Sequence, residues 1–133
     1  MDCWISGSQK GMVTKMPFEY FQSYQADQFS FINIPKAMVT EEIFSPLSIQ
    51  AKILYGMLLD RMSCAQKNKW IDEENRVYII YPISEIAKDM NISKRKAINS
   101  MAELVGMGLV EKKHIGQGRS NVLYIKKFVI TSD

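Results

Sequence analysis

Residues 84–107 read Ser-Glu-Ile-Ala-Lys-Asp-Met-Asn-Ile-Ser-Lys-Arg-Lys-Ala-Ile-Asn-Ser-Met-Ala-Glu-Leu-Val-Gly-Met, and their spacing decides the fold. Ile86, Ala87 and Met90 form the apolar side of a short helix. Ser84 is placed to cap it, and Glu85 suits the positive end of the helix dipole. Asn91 tolerates a left-handed backbone, which lets the chain turn sharply. Ile92 then points inward and Ser93 caps a second helix, residues 94–107. Ala97, Ile98, Met101, Leu104 and Val105 recur at spacings of one, three and four and predict its buried side, and Gly108 ends it. Two helices joined by a three-residue turn with an inward aliphatic make a helix-turn-helix.

The outer side of the second helix carries the chemistry. Lys94, Arg95, Lys96 and Asn99 fall in its first turn and a half. Cations at a helix N-terminus oppose the macrodipole by about 0.3–1 kcal/mol each. A phosphate backbone offsets that cost, because it attracts the cations and accepts from the free backbone N–H groups. The alternative is a solvated helix end with no ligand. Arg suits a guanine edge and Asn an adenine edge, so Arg95 and Asn99 are candidates for base contacts. Lys94, Lys96 and the Ser93 hydroxyl are candidates for phosphates.

Beyond Gly108 the sequence reads strand, glycine-rich loop, strand: Leu109–Ile115, then Gly116-Gln117-Gly118-Arg119-Ser120-Asn121, then Val122–Ile125. A hairpin directly after such a helix is a wing. Arg119 sits at its tip between Gly118 and Ser120, mounted to reach a minor groove or phosphate. Lys112, Lys113 and His114 lie on the approach strand, and Gln117 and Asn121 add polar groups to the loop. An ordinary surface hairpin is the alternative.

Working back from this unit, Ser48 caps a strong helix, Ile49–Met62. Its apolar residues cover most of the circumference, which predicts a central position, and Gly56 predicts a close helix–helix crossing. Trp70-Ile71 and Val77–Tyr81 flank the polar run Asp72-Glu73-Glu74-Asn75-Arg76 and read as a hairpin; a solvated turn is favoured there over a cation site. Residues 29–34 alternate as a short strand, and Pro35 opens a short helix through Val39. Residues 1–28 read as an arm needing a partner surface, and its aromatic stretch, residues 18–31, is the candidate dimer surface.

Composition bounds the function classes. The 133 residues are 47% hydrophobic and 23% charged, which suits one domain with a core. Residues 1–83 hold eight Lys/Arg against nine Asp/Glu, whereas residues 84–133 hold nine against five. The positive field therefore belongs to the C-terminal part and points to a polyanion partner there. No apolar run is long enough to cross a membrane and no secretory leader is visible, so a cytoplasmic location is expected. Cys3 and Cys64 make neither a disulfide framework nor a zinc quartet, and Cys64 reads as a small apolar residue. The single histidine, His114, lacks an acidic or cysteine partner in sequence, and the nine Met residues read mostly as core. No cofactor, metal or catalytic constellation is expected.

Several segments together resemble a known family. They are Phe31-Ile32-Asn33-Ile34-Pro35-Lys36-Ala37, Leu47-Ser48, Ala51-Lys52-Ile53-Leu54-Tyr55-Gly56-Met57-Leu58-Leu59-Asp60-Arg61-Met62-Ser63, Lys69-Trp70-Ile71-Asp72, Arg76-Val77-Tyr78-Ile79 and Gly106-Met107-Gly108-Leu109-Val110-Glu111. They resemble the N-terminal domain of the RepA_N family of plasmid replication initiators from low-GC Gram-positive bacteria. The resemblance covers about residues 31–127. It implies a winged-helix domain that binds repeated sites in a plasmid origin, commonly as a homodimer with further assembly open. It also implies a C-terminal domain, related to DnaD-like primosome proteins, that engages host replication factors.

The expected fold is α+β, a winged helix-turn-helix with an N-terminal extension. The expected division is an arm at 1–28, a winged-helix DNA-binding domain at 29–127, and at 128–133 the start of a linker to an absent C-terminal domain. The expected function is sequence-specific binding of double-stranded DNA through the recognition helix, 94–107, and the wing, 109–125. A winged-helix transcriptional regulator and a protein-interaction module without DNA binding are the alternatives; an enzyme is not expected.

Overall fold

The computed structural model describes residue 20, residues 30–114 and residues 121–128. The arm, apart from Tyr20, and the wing tip with Gln117 and Arg119 lie outside the described residues, as do residues 129–133. Along the chain come α1 (Lys36–Thr40), a 3-10 turn (Glu42–Phe44), α2 (Ile49–Met62), β1 (Ile79–Ile80), α3 (Ile83–Met90), α4 (Lys94–Met107), β2 (Val110–Lys113) and β3 (Val122–Ile125). The strands form an antiparallel sheet in the order β1-β3-β2. Helices α2, α3 and α4 with a small sheet ending in a hairpin make the expected winged helix.

α2 begins where its cap predicts, with the Ala51 N–H donating to the Ser48 hydroxyl at 3.1 Å. It buries Ala51, Leu54, Tyr55 and Leu58 in a core shared with Met38, Phe44, Ile79, Ile86, Met101, Leu104 and Leu123. Its burial is one-sided, however: Ile49 is 75% exposed and Ile53 is also exposed. The apolar residues cover more of the helix than the small sheet and two partner helices can enclose. Gly56 serves a different contact from the one expected. A Cβ there would lie 2.8 Å from Ile34 Cγ1 and 3.4 Å from the Asn33 carbonyl oxygen, so the segment before α1 crosses the helix at this point. That segment is not a strand; residues 30–34 pair with no strand among the described residues. The alternation of apolar residues reflects packing on α2.

The hairpin at 70–81 forms, but most of it is turn. Ile71 pairs with Val77, and the Tyr78 N–H donates to the Trp70 carbonyl at 3.1 Å. Asp72 organises the turn: its Oδ1 accepts from the N–H groups of Glu74 at 2.9 Å and Arg76 at 2.8 Å. Its Oδ2 accepts from Arg76 Nε at 2.9 Å and from the Tyr124 hydroxyl at 3.0 Å. The backbone hydrogen bond from Arg76, with the other donors, holds the Asp72 carboxyl down at about 2. Asn75 takes the left-handed conformation that closes the turn, with φ 65°.

α3 starts two residues earlier than expected. Pro82 occupies the cap position without a side-chain bond, and Ser84 lies inside the helix. Proline fixes φ near the required value and has no N–H to satisfy, so the hydroxyl is not needed for the start. α3 is held from below by Tyr81, whose hydroxyl donates to Asp89 Oδ2 at 2.6 Å. Burial, helped by Asp89, pushes that phenol well above its ordinary range, so it stays a donor. The Arg61 guanidinium lies 4.4 Å from the Tyr81 ring centre and donates to the Ile80 carbonyl from Nε and Nη2. Phe128 packs on Phe44, with ring centres 4.6 Å apart.

Two glycines in helices give opposite expectations. Gly56→Ala puts a methyl into Ile34, and overpacking of about 1–3 kcal/mol outweighs a helix-propensity gain of about 1 kcal/mol, so a net loss of stability follows. Gly106→Ala meets nothing within 4 Å and should gain about 0.5–1 kcal/mol. Denaturant melts of both variants check the pair. Asp72 gives a pH test. Its folded pKa is depressed, so its stabilisation is complete above the unfolded value near ~4 and is lost as pH falls through about 2. Asp72→Asn should flatten the stability profile between those limits and leave the slope near neutrality unchanged.

Candidate nucleic-acid interface

The turn between α3 and α4 sets the geometry. Asn91 is left-handed at φ 57° and ψ 48°, and its N–H bonds back to Ala87 and Lys88. Ile92 then packs against the core, with its N–H on the Ala87 carbonyl at 3.0 Å. Ser93 caps α4, accepting from the Lys96 N–H at 3.1 Å. Because the hydroxyl accepts this bond, its own proton stays available for donation. The N–H groups of Lys94 and Arg95 open the helix with no carbonyl one turn behind them. At the other end Gly108, at φ 92°, lets the Leu109 N–H return to the Leu104 carbonyl at 3.0 Å.

α4 buries Ala97, Ser100, Met101 and Leu104. Two expected core residues are not there: Ile98 is 51% and Val105 37% exposed. The buried stripe is narrower than the apolar pattern, and Ser100 takes the place next to Met101, 3.4 Å from Gln50 Oε1 on α2. Small side chains at 97 and 100 let α4 lie close on α2, which rotates Ile98 and Val105 outward.

A clamp that the sequence did not disclose fixes this seat. Glu103 Oε1 accepts from the Ser48 N–H at 2.7 Å, and Oε2 accepts from the Ser48 hydroxyl at 2.8 Å. One carboxylate on α4 thus completes the N-terminal cap of α2, where negative charge is favoured. The one available signal was that Glu103 is the single acid in a helix that starts Lys-Arg-Lys. Its partner is 55 residues away, and no local spacing points to it.

The expected contact residues divide as follows. Lys94, Arg95, Lys96 and Asn99 are exposed at the start of α4, with Ser93 beside them. Among the described residues no carboxylate lies within ion-pair distance of the three cations. With Glu103 turned to Ser48, this face is positive. On the wing, strand alternation separates the two lysines. Lys112 lies across from Leu123, on the face that borders Pro82, Ile83 and Met101, and Asn121 joins it there. Lys113 lies across from Val122, on the opposite face near Asp72, Glu74 and Arg76. Asn121 also bonds His114, Oδ1 to Nδ1 at 2.9 Å, across the base of the wing. His114 thus has a structural partner. No group of three or more His, Cys, Asp or Glu able to hold a metal occurs among the described residues, and Cys64 is buried as a small apolar side chain. No helix among them is long and apolar enough to cross a membrane.

Solved structures share this fold. A solved N-terminal domain of a DNA-binding protein is 30% identical, with 86% of this chain and 88% of that one covered and a TM-score of 0.72. A Rep–DNA complex has a chain 31% identical, with 86% and 88% covered and a TM-score of 0.72. An MDR initiator is 31% identical, with 85% and 89% covered and a TM-score of 0.68. A 41 kDa protein of Lactobacillus helveticus is 24% identical over 95 residues. Those residues are 69% of this chain and 27% of that protein, so the chain spans about a quarter of this relative's length. The family model for the replication initiator protein A (RepA) N-terminus matches residues 30–133, which take in α1 through the wing, and the chain belongs to that family, RepA_N.

Proposed function

We propose that the chain is the DNA-binding part of a plasmid replication initiator and binds repeated sites in the replication origin sequence-specifically. The observation that carries this is the start of α4: three cations with no carboxylate partner among the described residues, around free helix N–H groups, on a helix seated firmly on α2. Helix and wing then divide the duplex between them. α4 enters the major groove N-terminus first, with Arg95 on a guanine edge and Asn99 on an adenine edge. Lys94, Lys96 and the Ser93 hydroxyl hold the flanking phosphates. Lys112 and Asn121 face the same side from the wing, and Gln117 and Arg119 extend that reach to the neighbouring minor groove or backbone. Lys113, on the far face, contributes to the field and to backbone contacts at the wing's edge. Membership in the RepA_N family and the likeness to a chain of a Rep–DNA complex support this reading.

The same reading has the chain acting as a homodimer in the cytoplasm, with no catalytic step of its own. Contacts to host replication proteins belong to a C-terminal domain, in keeping with the greater length of the Lactobacillus relative.

Fluorescence anisotropy with fragments of the encoding plasmid's replication gene and origin, against shuffled duplex, tests the proposal. At least about 10³-fold preference for a fragment with direct repeats, and a steep salt slope, is expected. Equal affinity for all fragments contradicts it. Arg95→Ala should cost about 1–3 kcal/mol on the repeat and relax specificity at one base pair. Lys94→Ala or Lys96→Ala should weaken all duplexes alike and lower the salt slope by about one. An Arg95→Ala loss of equal size on repeat and shuffled DNA removes its assignment as a base-reading residue.

A further inference from the structure

Ile98 stands on the open side of α4, half exposed, where the apolar pattern alone would bury it. Isolated exposed aliphatics are ordinary on protein surfaces, so exposure by itself carries no weight. The surroundings do. Lys94 and Arg95 lie one turn earlier on the same side, Asn99 is adjacent, and Ala102 lies one turn later; all four are exposed. Ile98 is the single branched aliphatic within this polar group. Helix formation gives no reason for it, since β-branching restricts its side chain and lowers helix propensity. The core gives none either, because α4 turns Ala97, Ser100, Met101 and Leu104 inward. A local choice that neither the helix nor the core repays points to a task at the surface.

The major groove offers one apolar group on its base edges, the C5-methyl of thymine. Ile98 follows Arg95 by three residues, about 4.5 Å along the helix axis. That is close to the ~3.4 Å rise between successive base pairs. Ala102 is too short to block the approach. We infer that Ile98 is a specificity-determining residue that packs on the C5-methyl of a thymine beside the base pair read by Arg95. Cytosine lacks that methyl and is rejected there. Val105, the other exposed aliphatic of α4, lies a further ~10 Å along the axis and takes no part.

This inference rests on the proposed insertion of α4 into the major groove, and the test separates the two. Single thymines of the origin repeat are replaced by deoxyuridine, which removes only the methyl group, and affinities are measured by anisotropy. The wild-type chain should lose about three- to fivefold at one position, the worth of one buried methyl. Ile98→Ala should bind thymine and uracil equally there, whereas Val105→Ala keeps the wild-type difference. A wild-type chain that binds the repeat selectively yet ignores every uracil overturns the role of Ile98 and leaves DNA binding intact. So does an Ile98→Ala variant that keeps the full uracil penalty. Failure of the wild-type chain to prefer any origin fragment overturns the DNA reading and this one with it.

Discussion

The seat of α4 on α2 is the constraint on which the rest depends. One side of α4 presents Ala97, Ser100, Met101 and Leu104 to the core, and burial of the larger two contributes about 1.5–3 kcal/mol each. Glu103 adds direction to that adhesion, because its carboxylate fits only the N-terminal cap of α2 at Ser48. Hydrophobic burial alone would tolerate a rotation or a slide of the helix. The two short hydrogen bonds to Ser48 do not. The opposite side of α4 is therefore held in one orientation, with its cations forward and its single acid turned away.

The sheet plays the matching role for the wing. β3 lies between β1 and β2, so the hairpin that carries the wing is anchored at its centre. From β3 the Tyr124 hydroxyl reaches Asp72, and Arg76 stacks over the same ring at 5.0 Å. The hairpin at 70–81 thus braces the wing from the side away from α4. Two of the three acids of that turn, Asp72 and Glu74, are engaged with Arg76, which keeps their charge from the basic face. The tie between Asn121 and His114 joins the two strands just beyond their last described pair, Lys113 with Val122.

The elements that local chemistry specifies were legible in the sequence. The Ser48 and Ser93 caps, the left-handed Asn91 and the terminating Gly108 all stand where their side chains predict. So do the bounds of α2 and α4 and the strand pairs of the wing. What escaped depends on tertiary contacts. An apolar period marks which residues suit a core, yet the available partners decide how wide the buried stripe is; hence Ile49, Ile98 and Val105 lie outside it. Gly56 announced a close approach without naming what approaches, and the segment through Ile34 proved to be the partner. The Ser48–Glu103 clamp joins residues far apart in sequence, so no local spacing names the partner of Glu103. The separation of Lys112 from Lys113 follows from strand alternation, a property legible in principle once the strand is assigned.

In the proposed function the N-terminal face of α4 is the surface that meets DNA. The most direct test is amide mapping by NMR as an origin-repeat duplex is added to the isotope-labelled chain. The largest shifts are expected at residues 93–99, a second group at Lys112 and Asn121, and little change at Ile49, Ile53 or the 70–76 turn. Shifts concentrated on the outer side of α2, with residues 93–99 unmoved, would contradict it.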